Sequence, residues 1–557
     1  MTQSQKGYRW LLFSLPLLFL GVFYFYPLGK IILFSFFPDS GSSFPGAGRL
    51  FATADYLRVI WFTTWQAALS TILTIALALP GSYVFARYRF PAKGLLQAML
   101  TVPFVLPTVV VAAAFRALLG SNGLINGWLT AIFGLSDPPI SLEQSVWFFL
   151  LAHVFYNYSL VLRIVGSFWA GINPGIRSAA VMLGASPFTV FIKITLPLLL
   201  PAIGSAALLV FIFCFTSFGV ILILGGPGYA TIEVEIYRQA VQLFNLPMAA
   251  ALSLIQIVIN FLLMLVHARL SRRTGVAFFG ESSGTDEVAI NSPVRGFFVG
   301  GNLLFMVCLL VSPLFALIVR SFTGRDGLTL AYYTALFNQD RRSVFFVEPI
   351  QAVMNSVGFG LVAMMLAVVL GMSASIFLAS GKKQSFWDAV VMLPLATSAV
   401  TLGFGYIITL NKPPLNLRDS LALVPLAHAL VAFPFVVRCI LPALRQVPQS
   451  LRDAAAMLGA SPARVWWQVD LALVRKSLLV GAIFGFVISM GEFGASAFLV
   501  RPHTPTMPVA IFRFLGQPGE LNYGQAMAMS SLLMLVSCLG FWLLSRFDRP
   551  AGGRNET

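Results

Sequence analysis

Twelve apolar runs, each long enough to cross a bilayer, leave this chain almost no choice of environment. A spanning helix needs about 20 mostly apolar residues. Such runs lie near 9–36, 57–85, 94–119, 144–168, 198–224 and 247–268, then near 296–320, 351–380, 386–411, 421–444, 477–500 and 525–545. Hydrophobic residues make up 58% of the 557 and charged residues only 10%, with a mean hydropathy of +0.86. No soluble core of this length absorbs so much apolar surface. The expected fold class is an all-α membrane protein of about 12 transmembrane helices, because helices satisfy their own backbone polar groups in lipid. The first run follows Lys6 and Arg9, yet it exceeds a signal-peptide core and shows no small-residue cleavage site. It reads as a retained helix.

The chain is also doubled. Ser178-Ala-Ala-Val-Met-Leu-Gly-Ala-Ser-Pro187 returns as Asp453-Ala-Ala-Ala-Met-Leu-Gly-Ala-Ser-Pro462, 275 positions later, each time between long apolar runs. At the same offset His153 matches His428, Arg163 matches Arg438, Phe218-Gly219 matches Phe493-Gly494, and Thr231, Ile236 and Arg238 match Thr506, Ile511 and Arg513. Pro103 and Pro394 differ instead by 291, so 16 residues are lost between the third and fourth runs, where 120–143 is longer than 412–420. Six runs per half is an even number, which gives both halves one orientation, as two parallel six-helix repeats. The polar Gly, Ser and acidic segment 271–295 reads as a solvated linker. The expected division is thus a first half over 1–270, the linker over 271–295 and a second half over 296–557.

Lys and Arg set the orientation. Arg87, Arg89, Lys93, Arg177, Lys193, Arg269, Arg272, Arg273 and Arg295 fall on one side of the threading, and Lys382, Lys383, Arg445, Arg452, Arg464, Arg475, Lys476, Arg546 and Arg549 continue it. That side, with both termini, is expected to be cytoplasmic in a multi-pass protein of the bacterial plasma membrane. The opposite, outer loops (37–56, 120–143, 225–246, 321–349, 412–420 and 501–524) mix signs, as with Asp55 and Arg58 or Glu233, Glu235 and Arg238. The net charge of +16 then reflects orientation and contact with anionic lipid, and gives no argument for a nucleic-acid partner. Cys214, Cys308, Cys439 and Cys538 lie in apolar runs without metal-site or disulfide spacing. The sequence holds no GxxxxGK[ST] loop, nucleophile elbow or HExxH. No catalytic residue, metal site or cofactor is expected in this chain, and any ATP hydrolysis belongs to another subunit.

The repeated decapeptide has a local physical reading. Ser186 and Ser461 can cap a helix whose first position holds Pro187 or Pro462. Before them, Ala179, Ala180 and Gly184, or Ala454, Ala455 and Gly459, make a short helix of little bulk that ends in a glycine bend. Another backbone can approach such a surface closely. The pattern resembles the signature of permease subunits of binding-protein-dependent ABC importers, an EAA triplet followed at fixed spacing by Gly, Phe, Ile and Leu-Pro. Here it runs Ser178-Ala179-Ala180, Gly184, Phe191, Ile194, Leu196-Pro197, and again Asp453-Ala454-Ala455, Gly459, Trp466, Val469, Leu471-Ala472. Ser178 stands where the family has Glu, Asp453 is a shortened acid, and Ala472 replaces the final Pro. The resemblance covers both halves and implies a type I importer permease fold, with the two loops as coupling helices that seat in two identical ATP-binding subunits. It further implies an extracytoplasmic solute-binding protein, and is nearest to the fused two-half permeases of the ferric-iron and thiamine group.

Polar residues inside apolar runs are costly and mark function or pairing. Glu492 falls in the eleventh run, with Ser217 as its symmetric counterpart, and both are candidates for the translocation pathway or for helix pairing. His153 and His428 occupy matching positions where a neutral imidazole can bond between helices, and with Asn157 they are further candidates for the translocation pathway. Asn157, beside Tyr156 and Tyr158, adds polarity to the first half alone. Pro103, Pro107 and Pro394 are expected to kink their helices next to a cavity. A secondary transporter or channel with its own coupling is the alternative reading, but it calls for several intramembrane acids where Glu492 is the one obvious candidate. A membrane-embedded enzyme finds no cluster of His and carboxylates.

Overall fold

The computed structural model describes residues 3–37, 50, 53–100, 102–274, 287–324, 327–338, 347–379, 385–411 and 415–547. Among them, eleven helices are long and apolar enough to cross a membrane, and a bent pair supplies a twelfth crossing. In chain order the first six spans are Leu11–Phe36, Ala54–Arg87, Thr108–Phe133, Val146–Ala170, Pro187–Phe215 and Leu246–Leu270. Pro293–Ser321, Ile350–Ala379, the pair Phe386–Ala396 with Ala399–Thr409, Leu423–Gln446, Pro462–Gly491 and Glu520–Leu544 follow as spans seven to twelve. Of the linker expected over 271–295, residues 275–286 lie outside the described residues, as do 380–384 and 548–557.

The prolines expected to kink helices interrupt them outright. Around Pro103 and Pro107 the chain forms Lys93–Met99, Val102–Val105 and then Thr108–Leu119, so the third crossing starts later than 94 and carries on through Leu124–Phe133. Part of the segment read as the outer loop 120–143 is therefore helix. Pro107 stands at the N-cap position, where its missing N–H and fixed φ favour a fresh start. The ninth crossing breaks at the matching point and turns by 90°. There Ser398 does the work with its side chain, accepting from the amides of Val400 at 3.1 Å and Thr401 at 3.4 Å. The fifth and eleventh spans also end early, at Phe215 and Gly491, and short helices Gly219–Leu224 and Ser496–Leu499 follow. Each half thus has two interrupted helices that face each other.

Packing crosses the sequence boundary. The first span joins the core of the second half: Phe13 stacks on Phe377 with ring centroids 4.0 Å apart, and the Tyr24 hydroxyl lies 2.7 Å from Thr397 Oγ1 in the break of the ninth crossing. The seventh span packs in turn on the first half, where Arg320 donates to the Gly123 carbonyl at 3.0 Å and Tyr158 meets Phe305 edge-on. Each half lends its leading helix to the other, so the two repeats interlock.

Candidate translocation axis and docking loops

At the helix breaks the structure gathers four residues that the repeat had paired. His153 Nδ1 lies 2.9 Å from Ser70 Oγ and its Nε2 lies 2.9 Å from Ser217 Oγ. In the second half His428 Nδ1 lies 2.7 Å from Ser489 Oγ, while Nε2 lies 2.8 Å from Ser496 Oγ and 3.4 Å from Glu492 Oε2. Both imidazoles are buried and tie the fourth or tenth span to the break that follows the fifth or eleventh. Asn157 joins the first set, donating to the His153 carbonyl at 2.9 Å. Glu492 is not inside a helix; it is the residue that ends one. Its carboxylate accepts from the amides of Ala495 at 2.9 Å and Ser496 at 3.0 Å and from Ser496 Oγ at 3.2 Å, the arrangement of an acid at a helix start.

Between these breaks the two halves meet in aromatic rings. Phe218 stacks on Phe493, its own counterpart, with centroids 5.3 Å apart and planes 22° from parallel. A contact between symmetric residues places the pseudo-twofold axis between them. Tyr237 packs against Phe218, and its counterpart Phe512 packs against Phe493. Glycine makes this approach possible. A Cβ on Gly219 would lie 2.6 Å from Thr108 Oγ1 and 3.0 Å from the Phe493 ring, and one on Gly494 would lie 3.1 Å from Ala399 Cβ.

The duplicated loops stand apart from this axis. Helices Pro174–Met182 and Gln449–Met457 close at Gly184 and Gly459, at φ +83° and +80°, where an L side chain is strained. Bonds from Ala185 N to Ala180 O and from Ala460 N to Ala455 O finish both turns alike. Ser186 Oγ then accepts from Thr189 N at 3.2 Å and Ser461 Oγ from Arg464 N at 3.4 Å, starting the next helix at Pro187 or Pro462. Just before the glycines, Met182 and Leu183 are 88% and 89% exposed, and Met457 and Leu458 are each 89% exposed. Four bare apolar side chains outside the spans, in two matching copies, mark an interaction surface. Asp453 accepts from Gln449 Nε2 at 2.9 Å, and Arg452 pairs with Asp470 at 2.7 Å, an ion pair that Thr195 denies to Arg177 in the first loop.

Comparison with known proteins matches this arrangement. Residues 72–276 fit the family described as binding-protein-dependent transport system inner membrane component. The thiamine transport system permease of Brucella abortus is 25% identical over 524 residues, covering 92% of this chain and 91% of that protein. That of Escherichia coli is 27% identical over 514 residues, covering 89% of each. The ferric transport system permease of Actinobacillus pleuropneumoniae is 24% identical over 555 residues, covering 96% of this chain and 78% of that protein. The chain is a fused two-half permease of a binding-protein-dependent ABC importer. It is a multi-pass protein of the bacterial inner membrane.

The permease also buries an acid that charge patterning had assigned to an outer loop. Glu233, in Ile232–Tyr237, is 0% exposed. Its Oε2 accepts from Ser398 Oγ at 2.7 Å, in the other half, and its Oε1 from Gln256 Nε2 of the sixth span. Glu235, also buried, accepts from Gln239 Nε2 at 2.6 Å. One signal for this fold-back was on the page: a true loop has no reason to keep Thr231, Ile236 and Arg238 in register with Thr506, Ile511 and Arg513.

Proposed function

We propose that the permease carries a small cationic solute, thiamine or ferric iron, received from an extracytoplasmic binding protein. Two ATP-binding subunits seat on its two loops, one at Ser178, Ala179, Ala180 and Gly184 and the other at Asp453, Ala454, Ala455 and Gly459. The observation that carries the coupling half of this reading is the matched exposure of Met182-Leu183 and Met457-Leu458 ahead of the two left-handed glycines. A buried, low-bulk helix would serve packing alone, whereas bare methionine and leucine at the tip call for a partner's groove. ATP hydrolysis falls to those subunits, and this chain supplies the route. The basic side and both termini are cytoplasmic, which puts the seats where ATP is.

The cargo rests on relatives named for thiamine transport, those of Brucella abortus, Haemophilus influenzae, Salmonella typhimurium and Escherichia coli among them. Ferric iron is the second reading, favoured by the ferric permease that covers 96% of this chain. Thermal-shift measurement of the partner binding protein with thiamine and with ferric iron separates the two, and stabilisation by neither removes both. Coupling is tested by reconstituting the permease with its ATPase and binding protein. Gly459→Arg is expected to leave a folded permease without uptake, and wild-type transport by that variant refutes the seat. Cysteine labelling of position 283 from outside intact cells would refute the orientation.

A further inference from the structure

Glu233 is fully buried, and the two groups that hold its oxygens, Ser398 Oγ and Gln256 Nε2, are neutral. Taking a carboxylate out of water among neutral partners costs several kcal/mol and is kept where function uses it. The backbone does not ask for an acid here. The matching position, 275 residues on, is Pro508 in the helix Met507–Leu515, and both helices are anchored alike. Ile232 N donates to Thr63 Oγ1 at 3.0 Å, and Met507 N donates to Ser356 Oγ at 2.8 Å. One copy carries the acid and the other folds without it.

The surroundings are incomplete in a way that a ligand could finish. Gln256 Oε1 is buried with no partner, and so is the hydroxyl of Thr401, whose amide reaches Ser398 Oγ. Each such orphan costs about 1–3 kcal/mol. One helical turn from Glu233, on the same face, Tyr237 packs against both Phe218 and Phe498. The helix Ile232–Tyr237 therefore brings a carboxylate and an aromatic ring together to the seam where the halves meet, next to the Phe218–Phe493 stack.

We propose that Glu233, with Tyr237 and the Phe218–Phe493 pair, contacts the cargo as the halves part, and that this site selects a flat organic cation with delocalised charge. The proposal rests on the import reading above and narrows its cargo. A ring-shaped cation gains from a carboxylate at its edge and from aromatic faces on either side. A small, highly charged metal ion seeks several oxygen ligands. Among the described residues no three His, Cys, Asp or Glu side chains gather to supply them.

The test is ATP-driven uptake of labelled thiamine, whose thiazolium is such a cation, into liposomes holding the permease with its ATPase and binding protein. Glu233→Gln is expected to lower uptake about tenfold or more, a loss of roughly 1.4 kcal/mol or greater, while ATP hydrolysis stimulated by the loaded binding protein persists. Glu233→Asp, should Glu233→Gln fail to assemble, reads the same contact as a raised KM for uptake at retained hydrolysis. Tyr237→Phe is expected to transport better than Tyr237→Ala, since the ring is what the cation needs. Wild-type uptake by Glu233→Gln overturns the proposal. So does raised hydrolysis without binding protein at unchanged uptake, because Glu233 would then only latch the halves together. A wild-type complex that imports no thiamine removes the thiamine reading and this proposal with it, whereas wild-type import beside an unaltered Glu233→Gln removes this proposal alone.

Discussion

His153 and His428 reach the same break in their two halves and meet different chemistry there. In the first half Nε2 faces the hydroxyl of Ser217, and in the second it lies 3.4 Å from the carboxylate of Glu492. The first half buries acids elsewhere, at Glu233, where the second has Pro508, and at Glu235, where it has Ala510. Glu492 and Glu233 differ in what they touch: Glu492 is wrapped by amides of its own helix break, whereas Glu233 reaches across to Ser398 in the other half. Duplication thus preserves the backbone breaks, the glycines and the bridging imidazoles, while acidic residues are placed in each half separately. Internal symmetry in such a chain predicts geometry better than chemistry.

The largest expected effect asks whether the halves are equivalent at the docking loops. Leu183→Asp and Leu458→Asp alter exposed side chains, so folding should survive, and each should cut ATPase stimulation and uptake roughly thirtyfold, as for an interface hot spot. Co-purification with the ATPase subunit reads the same loss directly. A loop that tolerates the change would show that one ATPase seat suffices and would break the symmetry where the fold keeps it best.

Next in size is a contrast between the histidines. His428→Ala strips a hydrogen-bonding neighbour from the buried Glu492 and from Ser489 and Ser496, and should destabilise the permease by about 2–3 kcal/mol. His153→Ala leaves hydroxyls behind and should cost about 1–2 kcal/mol. Unfolding in detergent measures both, and equal losses would mean that Glu492 is fully supported by its own backbone amides. Glu492→Gln sharpens the comparison of the acids. Weaker acceptance from Ala495 N and Ser496 N should lower stability by about 1–2 kcal/mol with uptake retained, in contrast to Glu233→Gln. Lost uptake with normal ATPase stimulation would instead put Glu492 on the route. The smallest effect concerns the caps: Ser186→Ala and Ser461→Ala should each cost about 1 kcal/mol locally. Faster hydrogen exchange at the amides of Thr189 and Arg464 would register it, and unchanged exchange would assign those turns to their prolines alone.

Much of the architecture is legible in one dimension. Apolar runs of sufficient length fix helices in lipid, because the backbone has no other way to satisfy its polar groups there. The 275-residue repeat fixes two like halves, and the Gly-Ala-Ser-Pro sequence fixes a left-handed bend followed by a capped restart, both confirmed at Gly184, Gly459, Ser186 and Ser461. Such features are local, or recur at one fixed offset, and need no knowledge of the neighbours.

What the tertiary structure alone decided is who touches whom. Nothing in the apolar first span says that it packs on the other half, since one lipid-facing helix reads like another and the choice depends on shape, as with Phe13 against Phe377. Charge patterning put Glu233 and Glu235 in water because acids next to an outer loop are usually solvated, yet the helix Ile232–Tyr237 folds inward and Ser398 and Gln256 replace the lost water. Glu492 read as a lone charge in a span until the helix proved to end there, and the amides it binds are those left free at the start of the short helix that follows. Hydrophobicity and short-range geometry are written residue by residue, whereas the pairing of buried polar groups is settled only when distant segments share one low-dielectric interior.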